Sequence, residues 1–152
     1  MLYLLLHAGA HRLALEVEQV CEVLPLVDLR PLPSAQPGVV GAFDYRGEAV
    51  PAIDLTALTE GRASARRLST RMVVVRAGGL AGAPRRIGLL AERVTEIVRR
   101  EPETFRPHVV PARGVSFLDA VATDDAGLLQ RLELAALLAA CGADASRPSG
   151  AG

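Results

Sequence analysis

Tryptophan is missing from this 152-residue chain, and aromatic residues make up only 3% of it. Platforms for stacking nucleobases are therefore scarce. Lys plus Arg (17) balance Asp plus Glu (17), so the net charge is zero. Nucleic-acid-binding domains are more often clearly basic with interleaved aromatics, so no nucleic-acid partner is expected. Cysteine is nearly absent too. Cys21 and Cys141 form no CxxC pair, and two thiols do not make a disulfide framework. Cys21, in an apolar run, is expected to be a small buried residue. No stretch approaches the roughly 20 apolar residues of a membrane span. The leading run Leu2 to Leu6 is shorter than a signal-peptide core and has no basic region before it. The chain is thus read as cytoplasmic, with no direct membrane insertion. What is abundant is hydrophobic residues, at 50%, which excludes a disordered chain. A chain of this length buries roughly 68–70% of its unfolded surface and needs no disulfide or metal staple.

The organising stretch is Pro37 to Leu58, PGVVGAFDYRGEAVPAIDLTAL. Two apolar arms, Val39–Phe43 and Ala49–Ile53, flank Asp44-Tyr45-Arg46-Gly47-Glu48, which predicts a hairpin. Gly47 meets a turn's need for positive φ, and Gly41 is likewise read as structural. Pro51 cannot donate to a ladder, so its arm is expected at an edge or a bulge. Asp54, just before Leu55, Ala57 and Leu58, predicts the N-cap of a short helix.

Around this stretch the chain reads as about ten short strands. They are placed at 1–6, 12–16, 21–26, 72–75, 86–91, 94–98, 115–121 and 128–132, besides the two arms of the hairpin. A helical turn is expected at Val17–Val20 and a helix over Leu132–Ala140. Glu101–Gly114, with three prolines, reads as an irregular connection, and 142–152 as a disordered tail. This pattern predicts an all-β fold with short helices. An internal repeat refines it. Arg12–Leu24 and Arg86–Val98 share five identities in thirteen positions, and three further positions exchange one branched aliphatic for another. Ile53–Leu58 matches Leu132–Leu137 in the same order. Two similar small β-barrels are therefore expected, the first mainly over about 12–70 and the second over about 71–132, with the termini packing across, within one domain spanning 1–141.

These residues resemble the CheW family of chemotaxis coupling proteins. The resemblance rests on Glu22-Val23-Leu24, Pro31-Leu32-Pro33, the Gly41–Gly47 hairpin and Pro51-Ala52-Ile53-Asp54-Leu55, with Gly88-Leu89-Leu90 before Val94 in the second half. It covers about residues 2–140. Asp44 stands where the family usually has Asn, and Glu92 where Asp is common. Phe43-Asp44-Tyr45-Arg46-Gly47, the loop Arg66-Arg67-Leu68-Ser69-Thr70-Arg71 and Gly127-Leu128-Leu129-Gln130 look more like the adaptor of Wsp-type surface-sensing pathways. The resemblance implies two five-stranded SH3-like barrels and a non-catalytic adaptor without cofactor. It implies two partners: the cytoplasmic tip of a methyl-accepting chemoreceptor and the regulatory domain of a CheA-type histidine kinase.

The expected partner-binding residues are Val20, Glu22, Val23, Asp44, Arg46 and Gly47. Arg46, at a hairpin tip, suits bidentate recognition of a carboxylate. It can equally pair with Asp44 or Glu48 and merely solvate the turn. Val20, Val23 and Leu26 supply either a partner surface or core. Because strand residues alternate, either Glu22 or Val23 points out of its barrel. An alternative reading is a ligand-binding or enzymatic double barrel using Glu22, Arg46, Asp54 and Glu96 in a groove between the halves. No spacing there brings a nucleophile to a base. His7 and His11 bracket a turn with no third ligand nearby, so no metal site is expected. Gly78–Gly82 lacks the Lys-Ser or Lys-Thr of a phosphate loop. Ser116 lacks a nucleophile elbow, and His108 stands alone in a Pro-flanked loop.

Overall fold

The computed structural model describes residues 1–32, 36, 38–77, 85–107 and 117–141. Gly78–Gly82, His108, Ser116 and the 142–152 tail lie outside the described residues. The first half of the chain runs β1 (Leu2–Ala8), β2 (His11–Glu16), a 3-10 turn (Val17–Gln19), β3 (Val20–Pro25), β4 (Val39–Tyr45), β5 (Glu48–Asp54) and α1 (Leu55–Glu60). The second half runs β6 (Arg71–Ala77), β7 (Arg85–Ala91), β8 (Arg93–Arg99), a 3-10 turn (Pro102–Thr104), β9 (Arg106–Pro107), β10 (Leu118–Asp124), β11 (Gly127–Leu132) and α2 (Leu134–Ala140). The segment expected to be irregular, 101–114, therefore contains an ordered turn and a short edge strand.

The fold is mostly β, in two sheets ordered β8-β1-β2-β11-β10-β9 and β3-β6-β7-β5-β4. Neither sheet belongs to one half of the chain. Each half contributes a leading hairpin to one sheet and its remaining strands to the other. The cause is the kink after β2 and after β7, where the chain leaves one sheet and enters the other. The repeat is nonetheless real in the topology. The element matching β1 is β6, β2 matches β7, β3 matches β8, and the hairpins β4–β5 and β10–β11 correspond. Even the parallel contacts agree in register. Ile53 pairs with Leu89, and Gln130 with Leu13, two residues short of the equivalent pair Leu132 and Leu15.

In each sheet one run of chain touches both edges. After β3, Arg30 pairs with Ala42 of β4, each amide donating to the other's carbonyl at 2.8 Å. In the other sheet the chain passes from edge strand β8 through the 3-10 turn to edge strand β9. Gly41 permits the first contact. Its φ is 147°, and a Cβ there would lie 2.5 Å from the Arg30 carbonyl oxygen.

The inner strands bury both faces, which explains the continuous apolar runs at Tyr3–Leu6 and Met72–Val75. Leu4, Leu6, Leu13 and Leu15 of one sheet join Ile53, Val73, Val75 and Leu89 of the other in a central core, sealed by Phe117, Leu134 and Leu137. On their opposite faces Tyr3, Leu5, Phe105 and Leu129 fill the first sheet's own core. Phe43, Tyr45, Val50, Met72 and Val74 fill that of the second. Cys21 packs against this last cluster, partly buried.

Of the two places expected for Pro51, the structure shows the irregular register and not the edge. β5 lies between β7 and β4 rather than at an edge. Pro51 is tolerated because the β5–β7 ladder begins one residue later, at Ala52. The register with β4 also shifts close by, between Val39 and Gly41.

Two carboxylates tie distant segments together. Glu92 accepts from the backbone N–H of Gly9 at 2.9 Å, from that of Ala65 at 2.6 Å and from Arg62 at 3.1 Å. It thereby joins the β1–β2 turn to the loop after α1. Asp124 takes both terminal nitrogens of Arg12, at 2.8 and 2.9 Å, and also Arg100 at 3.2 Å. The Arg62 bond holds Glu92, and the Arg12 bond holds Asp124, below the ordinary carboxylate range. A depressed folded-state pKa contributes stability above the unfolded value, and that contribution is lost as pH falls through the folded value. Stability is thus expected to decline as pH drops below about 4. Urea midpoints measured from pH 7 to 2 check this. Asp124→Asn should flatten the decline, and an equally steep curve in that variant would remove Asp124 from the explanation.

Candidate partner-binding surface

The β4–β5 hairpin closes with a two-residue loop. Tyr45 pairs with Glu48, leaving Arg46 and Gly47 as the central residues. Both have positive φ, 52° and 82°, as a type I′ turn requires. Gly47 adopts this freely. A side chain at Arg46 costs about 1–2 kcal/mol in this conformation. The turn offsets part of that through Asp44, whose Oδ1 accepts the Gly47 N–H at 2.8 Å. An Asn side chain would offer the same acceptor, so the Asp for Asn exchange preserves the turn and adds a negative charge.

Arg46 pairs with neither Asp44 nor Glu48. Its Nη2 donates to Glu22 Oε1 of β3 at 3.1 Å, and its side chain remains 71% exposed. The same Glu22 oxygen accepts the Tyr45 hydroxyl at 2.8 Å. That bond holds the phenol's pKa above its ordinary value. The Arg46 guanidinium lies 5.1 Å from the Tyr45 ring centre. Arg86, from β7, approaches the same ring at 5.7 Å and pairs with Glu48 at 3.2 Å. Glu22, Asp44, Arg46 and Gly47 are thus brought together as one rim. Tyr45 and Arg86 belong to it as well, and the motif reading did not single them out. The signal was present in the repeat, which aligns Arg86 with Arg12, and Arg12 also reaches a hairpin tip.

Val20 and Val23 separate. Val20 is partly buried against the central core. Val23 is exposed on β3, opposite Val73 of that core. Glu22 and Leu24, one residue to either side, take the other face, and Leu24 packs against the second sheet's own core. Ile97 repeats the pattern on β8. It is exposed and faces core residue Leu4 across the ladder. Edge strands β3 and β8 therefore each carry the central core out to solvent through one aliphatic side chain. Leu26 packs inward.

The groove reading of Glu22, Arg46, Asp54 and Glu96 does not assemble. Asp54 is 1% exposed and caps α1, accepting from Thr56 N and Ala57 N. Glu96 stands on β8 in the other sheet.

The β4–β5 hairpin thus holds a guanidinium in solvent, and edge strands β3 and β8 expose Val23 and Ile97. The CheW-like domain model matches residues 2–141, and the chain belongs to that family. No curated protein matches it. Among solved structures, that of the scaffolding protein TtCheW from Thermoanaerobacter tengcongensis shares the fold. The TM-score is 0.75 at 19% identity, over 88% of this chain and 84% of that one.

Proposed function

We propose that this protein is a non-catalytic adaptor. It couples the cytoplasmic tip of a methyl-accepting chemoreceptor to the regulatory domain of a CheA-type histidine kinase. The observation that carries this reading is the Glu22–Tyr45–Arg46 rim in a CheW-like fold. The guanidinium is pre-oriented by a carboxylate and a ring, yet mostly solvent-exposed. Pre-orientation lowers the ordering cost of binding. The kinase domain binds this rim and the β3 edge with Val23. The receptor's helices bind the seam between the sheets. An adaptor couples only those states for which its affinity differs, so the signal passes through the relative placement of the two partners. The hairpin, the Arg66–Arg71 loop and Gly127–Gln130 favour a surface-sensing pathway whose output is a diguanylate cyclase. The protein acts in the cytoplasm, recruited to receptor clusters.

Titration with a receptor-tip fragment and with the kinase regulatory domain tests this. Wild type should bind both. Arg46→Glu, still folded by circular dichroism, should lose at least about tenfold for the kinase domain, since it breaks a charge-assisted contact and leaves Glu22 facing a like charge. Absence of binding to either partner at high micromolar concentration would reject the adaptor.

A further inference from the structure

The internal repeat supplies a comparison between two equivalent arginines. Arg12 on β2 and Arg86 on β7 occupy matching positions, and each reaches the tip of the hairpin beside it. Arg12 is committed. It holds both oxygens of Asp124, bonds also to the Leu128 carbonyl, and its side chain is only 18% exposed. Arg86 is not committed. One Nη1 bond goes to Glu48, itself well exposed, and the Arg86 side chain is 39% exposed. Among the described residues its other N–H groups have no acceptor. Arg46 is in the same state, with a single Nη2 bond to Glu22. A guanidinium carries five N–H donors in a planar fork. Two such forks, both resting on the Tyr45 ring, are therefore at least partly exposed, with most of their donors unpaired among the described residues.

We infer that Arg86 is a second partner-contact residue, and that Arg46 and Arg86, aligned by Tyr45, take two carboxylates from one partner surface. This rests on the adaptor reading above and names the chemistry of its kinase-facing rim. The partner is thus a protein surface carrying two acidic side chains close together. Glu22, Glu48 and Asp44 surround the two arginines, so the rim as a whole carries no positive excess. Long-range attraction is accordingly weak, and the contact acts at hydrogen-bonding distance. Its loss should appear in dissociation more than in association.

The test is kinetic binding of the kinase regulatory domain to wild type, Arg86→Glu, Arg86→Gln, Arg46→Glu and a charge control, Arg67→Glu, on the exposed loop. Thermal melts of each variant establish folding. Arg86→Glu should weaken binding about tenfold or more, mostly through faster dissociation, and Arg86→Gln by a smaller factor in the same direction. Arg67→Glu should bind as wild type. Should Arg86→Glu fail to fold, Arg86→Gln decides. If both Arg86 variants bind as wild type while Arg46→Glu is weakened, the adaptor stands and the role of Arg86 is overturned. If Arg67→Glu weakens binding as much as Arg86→Glu does, the effect is general charge and the two-carboxylate site is overturned. If wild type does not bind the kinase domain, this inference falls together with the reading beneath it.

Discussion

Asp54→Ala is expected to destabilise the protein by about 3–5 kcal/mol, a large loss for one side chain. The carboxylate is buried and does more than cap a helix. Oδ1 accepts from Thr56 N at 3.0 Å, from Ala57 N at 3.4 Å and from the Ser64 hydroxyl at 2.6 Å. Oδ2 accepts from Ser64 N at 2.8 Å. The Ser64 hydroxyl also meets Thr56 Oγ1 at 2.9 Å. Losing an N-cap costs about 0.5–2 kcal/mol. Each buried donor left without an acceptor adds about 1–3 kcal/mol, less where water enters the space. Ser64 and Thr56 are both buried, so relief by water is limited. Asp54→Asn should fall in between, because its amide retains one acceptor and turns a donor group toward the Ser64 N–H. Urea denaturation measures both. A loss below 1 kcal/mol for Asp54→Ala would show that the network is redundant.

Leu89→Ala is expected to cost about 2–5 kcal/mol and to weaken both sheets together. Leu89 is fully buried on β7, paired with Ile53 and Val73, inside the core that the two sheets share. The two tyrosines make this observable, because no tryptophan masks their emission. Tyr3 reports the first sheet's core and Tyr45 the second's. In Tyr3→Phe and Tyr45→Phe backgrounds, Leu89→Ala should shift both unfolding midpoints equally. A shift confined to the Tyr45 signal would mean that the sheets unfold independently. That would weaken the adaptor as a mechanical link between partners.

Much of this architecture was legible from residue types alone. Asp54 before an apolar turn announced its cap, and Gly47 its turn. The repeat around Arg12 and Arg86 announced the duplicated order of elements. These are local signals, set by φ preferences, alternation and capping within a few residues. Whether Pro51 sits at an edge or beside an irregular register is not a local matter, because a proline's cost depends on where the neighbouring ladder begins. The acidic neighbours of Arg46 in sequence do not hold it; its partner, Glu22, lies 24 residues away. Tyr45 and Arg86 went unnoticed because their contact is made across the sheet.

What the sequence by itself determined is the class and order of elements: a duplicated β fold, an ordered hairpin tip, a capped helical turn and membership of a coupling-protein family. Tertiary structure alone decided which strands share a sheet. A repeat specifies units but not whether a unit pairs with itself or with its copy. Here the kinks after β2 and β7 carry each half into the other's sheet. The same exchange brings β7 beside the β4–β5 hairpin and so sets Arg86 against Tyr45, a neighbour that no local rule encodes.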